Sequence, residues 1–138
     1  MSTEGRHIVE TDLMDGIDAT KPWILVVDDE RVVCDAIARQ LRKAGYNTHV
    51  AYEGKEAIEI LAGNRIDLAL LDIRMPQTNG FDILKHIQKH TPETKSIMMT
   101  SYADIKSAVD SIAYGAVDII SKPVDLDEMI LTIGKCFA

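Results

Sequence analysis

The sequence predicts an α/β fold on a five-stranded parallel sheet, and three observations predict it. From Lys21 onward a short apolar run followed by a stretch of helical periodicity recurs five times, the pattern of strands joined by crossover helices. Four of those runs end in residues able to do chemistry: Asp28 with Asp29, Asp72, Thr100 with Ser101, and Lys122. The length, 138 residues, suits a single domain.

The first run, Trp23 to Val27, is too short and too β-branched for a helix and reads as a strand buried on both faces. Val33, Ile37 and Leu41 then recur at helical spacing until Gly45 offers a stop. A strand near Asn47 to Tyr52 precedes a helix near Lys55 to Ala62 that buries Ala57, Ile58 and Leu61. The third strand is Leu68 to Leu71, ending at Asp72. After the loop Arg74 to Gly80, a third helix places Phe81, Leu84 and Ile87 on one face. The fourth strand, Ser96 to Met99, is core and includes Met98 and Met99; a helix from about Ala103 to Tyr114 follows and closes at Gly115. The fifth strand is Val117 to Ile120, and a last helix from about Leu126 carries Met129, Ile130 and Ile133.

Residues 1–21 read as a flexible, polar tail ahead of a domain at 22–138; within the tail, Val9, Leu13 and Ile17 have the spacing of a short amphipathic helix. The net charge is −7, and no cluster of Lys or Arg gives a reason to hold nucleic acid or an anionic membrane. No apolar stretch approaches the roughly 20 residues of a membrane span, and the acidic N-terminus does not resemble a secretory signal. A cytoplasmic location is expected. Cys34 and Cys136 are too few for a disulfide framework and are expected to be reduced thiols.

In a parallel sheet the chemistry-bearing strand ends share one edge, where open α/β sheets bind ligands. Any one Asp there reads more readily as a helix cap or turn residue. Asp28, Asp29 and Asp72 together do not, because two carboxylates ~5 Å apart at an effective dielectric of about 20 repel by roughly 3 kcal/mol. A lone Lys122 cannot balance three acids, so the set calls for a hard divalent ion, Mg²⁺ or Mn²⁺. A carboxylate beside such an ion can act as nucleophile toward a phosphoryl group.

The segments ILVVDDE (24–30), LALLDIRMPQTNG (68–80), IMMTSYAD (97–104) and GAVDIISKP (115–123) together resemble the receiver domain of bacterial two-component response regulators. The resemblance runs from about Lys21 to Ala138. It implies a doubly wound, flavodoxin-like sheet in the order 2-1-3-4-5. It also implies that Asp72 is the phosphoacceptor, taking its group from a sensor histidine kinase, a phosphotransfer protein or a small donor such as acetyl phosphate. Mg²⁺, for which Mn²⁺ can substitute, is then ligated by Asp29, Asp72 and the backbone carbonyl of Arg74, with Asp28 acting through water. Thr100 and Lys122 contact the phosphoryl oxygens, Ser101 follows Thr100 in the switch loop, and the Lys122–Pro123 bond is cis, a form accessible at low cost only before proline. Catalysis is limited to the chain's own phosphorylation and slow dephosphorylation. The face from the fourth to the fifth helix is the expected surface for a second copy or an effector.

Two features depart from the family or vary within it. Three residues before the lysine most receivers place an aromatic, and this chain has Ile119; Thr100 and the loop of Tyr102 are therefore expected to carry most of the switch. Arg74 and Tyr102, two residues past Asp72 and Thr100, are expected to tune phosphoryl lifetime. The chain stops where the last helix should end, which fits either a stand-alone receiver or a segment of a longer regulator.

An FMN carrier would share the fold, but Asp28-Asp29-Glu30 would repel its phosphate. A phosphatase using a strand-end Asp would need a second Asp where Arg74 stands. A receiver-shaped interaction module without phosphorylation is the remaining alternative. His86 and His90, four apart between Lys85 and Lys89, read as a solvated face rather than a metal site.

Overall fold

The computed structural model describes residues 18–138; the short helix suggested by Val9, Leu13 and Ile17, and most of the tail, lie outside them. Five strands, β1 (Trp23–Val27), β2 (Asn47–Ala51), β3 (Leu68–Asp72), β4 (Lys95–Thr100) and β5 (Asp118–Ser121), alternate with five helices. The helices are α1 (Arg31–Lys43), α2 (Gly54–Gly63), α3 (Gly80–His90), α4 (Ile105–Ala113) and α5 (Leu126–Cys136). The strands pair in parallel in the order β2-β1-β3-β4-β5, the doubly wound arrangement that the family resemblance implied.

Strand parity decides which residues face which helices. Ile24, Val26, Leu68, Leu70, Ile97 and Met99 pack with Ile37 and Leu41 of α1 and Met129 and Ile133 of α5. Their neighbours Leu25, Val27, Ala69, Leu71 and Met98 point the other way, toward Ala57 and Leu61 of α2, Ile83, Leu84 and Ile87 of α3, and Ala108 of α4. One sheet thus separates two cores, which is why β1 and β3 read as continuous apolar runs. Ile24 to Val27 and Leu68 to Leu71 are fully buried.

The helices end as their residues dictate. Gly45, at φ 99°, follows α1 and supplies the left-handed turn that residues with a Cβ adopt at a cost. Asn79 and Asp82 form a reciprocal capping box at the start of α3, and Asp125 caps α5 by accepting from Glu128 N–H.

Four local expectations are corrected. Ile83, not Phe81, joins Leu84 and Ile87 under α3; Phe81 is half-buried and packs edge-on against Tyr114 at 5.0 Å. Ile58 is only half-buried, since Ala57 and Leu61 take the core side of α2. The fourth helix does not begin at Ala103: Tyr102–Asp104 forms a 3₁₀ turn and α4 starts at Ile105. β5 begins at Asp118, although Val117 N–H already bonds to the Ser96 carbonyl at 2.8 Å.

Candidate functional site

The C-terminal edge of the sheet gathers the strand-end residues. Asp28 N–H bonds to the Ala51 carbonyl at 3.1 Å, Ile73 N–H to the Met99 carbonyl at 3.1 Å and Lys122 N–H to the Thr100 carbonyl at 2.7 Å. These backbone bonds extend the ladder one residue past several strands and fix where each side chain leaves the sheet.

Asp28, Asp29 and Asp72 each present a carboxylate oxygen within 4.8 Å of the others. Asp28 and Asp72 are buried and Asp29 is exposed. Lys122 crosses from the end of β5 and its Nζ donates to Asp28 Oδ2 at 2.7 Å, lies 3.2 Å from Asp72 Oδ1, and is 3.7 Å from Glu30 Oε1. Asp28 Oδ1 accepts from Glu30 N–H at 2.9 Å. Both oxygens of Asp28 are therefore engaged, which leaves Asp29 and one oxygen of Asp72 without a protein partner among the described residues.

One ammonium does not neutralise this cluster. Burial, followed by the charge of Asp28, pushes the Asp72 carboxyl up to about 7 against the opposing pull of Lys122. Burial lowers the Lys122 ammonium, but its bonds to Asp28 and Asp72 and their charges outweigh that and hold it above the usual lysine value. An all-oxygen donor set with excess negative charge fits a hard divalent cation, for which Asp29 and Asp72 are the available ligands.

The remaining sequence-selected residues are placed less uniformly. Thr100 is buried at the end of β4 with its hydroxyl donating to the Ser101 carbonyl at 3.0 Å. Ser101 is exposed, and its hydroxyl points to Asp104 Oδ2 at 3.3 Å rather than into the cluster. Tyr102 stands on the 3₁₀ turn with 91% of its surface exposed. Ile119 is half-buried against the core shared by α2, α3 and α4. The Lys122–Pro123 bond is cis. Arg74 turns its guanidinium to Asp104, with Nε 2.8 Å from each carboxylate oxygen and Nη2 2.8 Å from Oδ1. Asp104 escaped sequence reading because, four residues past Thr100, it looked like part of a helix.

His86 and His90 pack ring to ring at 4.4 Å on α3; among the described residues, the strand-end acids alone form a group of three potential metal ligands. Cys34 and Cys136 are both free. Among the described residues no helix is long and apolar enough to cross a membrane.

An acidic trio facing a lysine across the edge of a 2-1-3-4-5 sheet is the arrangement of a receiver domain, and the comparisons with known proteins agree. The family model of the response regulator receiver domain matches residues 24–134, and the chain belongs to that family. Regulatory protein AtoC of Escherichia coli (strain K12) is 39% identical over 112 residues, covering 81% of this chain and 24% of AtoC. Transcriptional regulatory protein DltR of Streptococcus agalactiae serotype III (strain NEM316) is 34% identical over 110 residues, 80% of this chain and 49% of DltR. The chain thus spans about a quarter to a half of these relatives. The receiver domain of NtrX from Brucella abortus superposes with a TM-score of 0.78 at 33% identity, covering 82% of this chain and 96% of that one. A CheY-like receiver domain protein from Methanospirillum hungatei JF-1 gives 0.79 at 31%, covering 83% and 92%.

Proposed function

We propose that this chain accepts a phosphoryl group on Asp72 from the phosphohistidine of a sensor kinase or phosphotransfer protein, in a Mg²⁺-dependent reaction, and that the modified state changes a partner-binding face. The observation that carries the reading is the convergence of Asp28, Asp29 and Asp72 within 4.8 Å beside the Lys122 ammonium.

A carboxylate oxygen of Asp72 attacks phosphorus while the P–N bond to the donor imidazole breaks; the imidazole nitrogen keeps the electron pair and takes up a proton. Lys122, already 3.2 Å from Asp72 Oδ1, offsets charge on the transferred oxygens. Among the described residues the Thr100 hydroxyl bonds only to the neighbouring carbonyl, and it can rotate to donate to a phosphoryl oxygen. Bound Mg²⁺ would supply Lewis-acid charge neutralisation, held by Asp29, Asp72 and the Arg74 carbonyl, with Asp28 through water. The exposed apolar side chains of Tyr102, Ile105, Val109, Ile112 and Val117 support the region around α4 and β5 as the face for a second copy or an effector.

With Mg²⁺ and acetyl phosphate the protein should gain one acid-stable, hydroxylamine-labile phosphoryl group, absent from Asp72→Asn and from samples in EDTA. Label that persists in the variant, or equal labelling in EDTA, overturns the assignment and favours the interaction module without phosphorylation.

A further inference from the structure

The Arg74–Asp104 pair joins the two loops that flank the acidic cluster. Arg74 lies two residues past Asp72, and Asp104 lies four past Thr100, in the turn that opens α4. The pairing is a side-on fork of three contacts at 2.8 Å, the geometry in which a guanidinium holds a carboxylate most firmly. The two partners are unequal: the Asp104 side chain is 10% exposed and the Arg74 side chain 76%. The acid is fixed in the fold, and the base is a long arm lying over the surface.

The helix that this pair holds is lightly anchored. α4 buries Ala108 and Ser111, whereas α1 and α3 each bury four residues, and Ile105, Val109 and Ile112 face solvent. Ser101 adds a hydroxyl contact to Asp104 from within the same loop. The fork to Arg74 is therefore a principal tie between the start of α4 and the loop that follows the phosphoacceptor strand.

We infer that Asp104 is a positioning residue that holds Arg74 away from the acidic cluster, and that a phosphoryl group on Asp72 draws the guanidinium off Asp104 and so unties the 3₁₀ turn from the β3–α3 loop. This deepens, and rests on, the phosphoacceptor reading. Charge supplies the drive. Lys122 and a divalent cation together balance Asp28, Asp29 and Asp72, and a phosphoryl group adds about one further negative charge. Arg74 is the nearby cation on the same loop, and phosphate oxygens match its planar donors as well as a carboxylate does. Once Arg74 leaves, Asp104 is a buried carboxylate without its cation, which favours opening of the turn to water.

The test is a double-mutant cycle with Arg74→Ala and Asp104→Asn, read by Mg²⁺-dependent binding of beryllofluoride and by amide exchange across residues 101–109 in the ligand-free protein. Asp104→Asn should tighten beryllofluoride binding by about tenfold, equivalent to 1.4 kcal/mol, and speed exchange of the turn without ligand. In an Arg74→Ala background the same change should leave affinity unaltered, and Asp104→Glu should restore wild-type behaviour. A structural role alone would lower melting temperature without tightening binding. Unchanged affinity in Asp104→Asn, tightening that persists without Arg74, or unchanged exchange of the turn overturns the inference. Wild type that fails to bind beryllofluoride overturns the phosphoacceptor reading and this inference with it; binding without the coupling overturns this inference alone.

Discussion

Gly80 lies so close to Asp72 that no side chain fits between them. A Cβ at Gly80 would stand 2.9 Å from the carbonyl carbon of Asp72 and nearer still to its oxygen. The first residue of α3 is thereby pressed against the backbone of the central acid, and the Gly80 N–H bonds to the Ile73 carbonyl at 3.2 Å. Since the obstacle is backbone, Gly80→Ala should cost about 1–3 kcal/mol and weaken Mg²⁺ binding. Gly134 is also helical, but a methyl added there would meet nothing within 4 Å, so Gly134→Ala should stabilise by roughly 0.5–1 kcal/mol. Urea titrations of both variants check the opposite signs.

Asp72 should make the metal-free protein less stable as pH rises. Its carboxyl is pushed from 3.8 up to about 7 by burial and by Asp28, so the folded state keeps a proton that the unfolded state releases. Its stabilising contribution is complete below about pH 4, declines as pH rises and is lost as pH passes through about 7. In EDTA at pH 8, Asp72→Asn should melt above wild type, and the gap should close toward pH 4. A variant that melts lower at pH 8 would contradict this.

The two thiols should react at different rates. Burial, with a contribution from Asp28, pushes Cys34 up to about 12, and its Sγ faces the Val26 and Ala51 carbonyls at 3.6 and 3.8 Å. Cys136 is half-buried at the far end of α5. A thiol reagent at pH 8 should label Cys136 in the native protein and Cys34 only after denaturation. Mild oxidation should yield no Cys34–Cys136 crosslinked peptide.

Trp23, the single tryptophan, stacks on His49 at 4.6 Å across β1 and β2. Burial, and then the charge of Arg42, lowers the His49 pKa below 6.5. Tryptophan emission should therefore fall on acidification with a midpoint under 6.5, and His49→Gln should flatten that step. A midpoint at or above 6.5 would show the ring to be freely solvated.

Elements whose residues act through their own chain neighbours were legible in the sequence. β1 and β3 read correctly because apolar residues on both faces leave few alternatives to a buried strand, and Asp28, Asp29, Asp72, Thr100 and Lys122 stood out because each lies at or just past the end of an apolar run. What escaped depends on contacts between distant segments. Ile83 replaces Phe81 in the core because Tyr114, 33 positions away in the chain, offers Phe81 a partner at the surface. The 3₁₀ turn at Tyr102–Asp104 forms where Asp104 is claimed by Arg74, a pairing that helical periodicity does not encode.

Strand parity also governs which changes in chain length the molecule tolerates. Asp28 and Asp72 continue the alternation that sends Ile24, Val26, Leu68 and Leu70 to one core and their neighbours to the other. One residue inserted within Trp23–Val27 or Leu68–Leu71 would exchange the contents of two cores and turn a carboxylate to the wrong side of the sheet. A residue added to the loop at 64–67 would cost only a fraction of a kcal/mol in closure entropy. Descendants of this sequence can therefore lengthen the loop at 64–67 at little cost, while the distance in residues from apolar core to carboxylate stays constant.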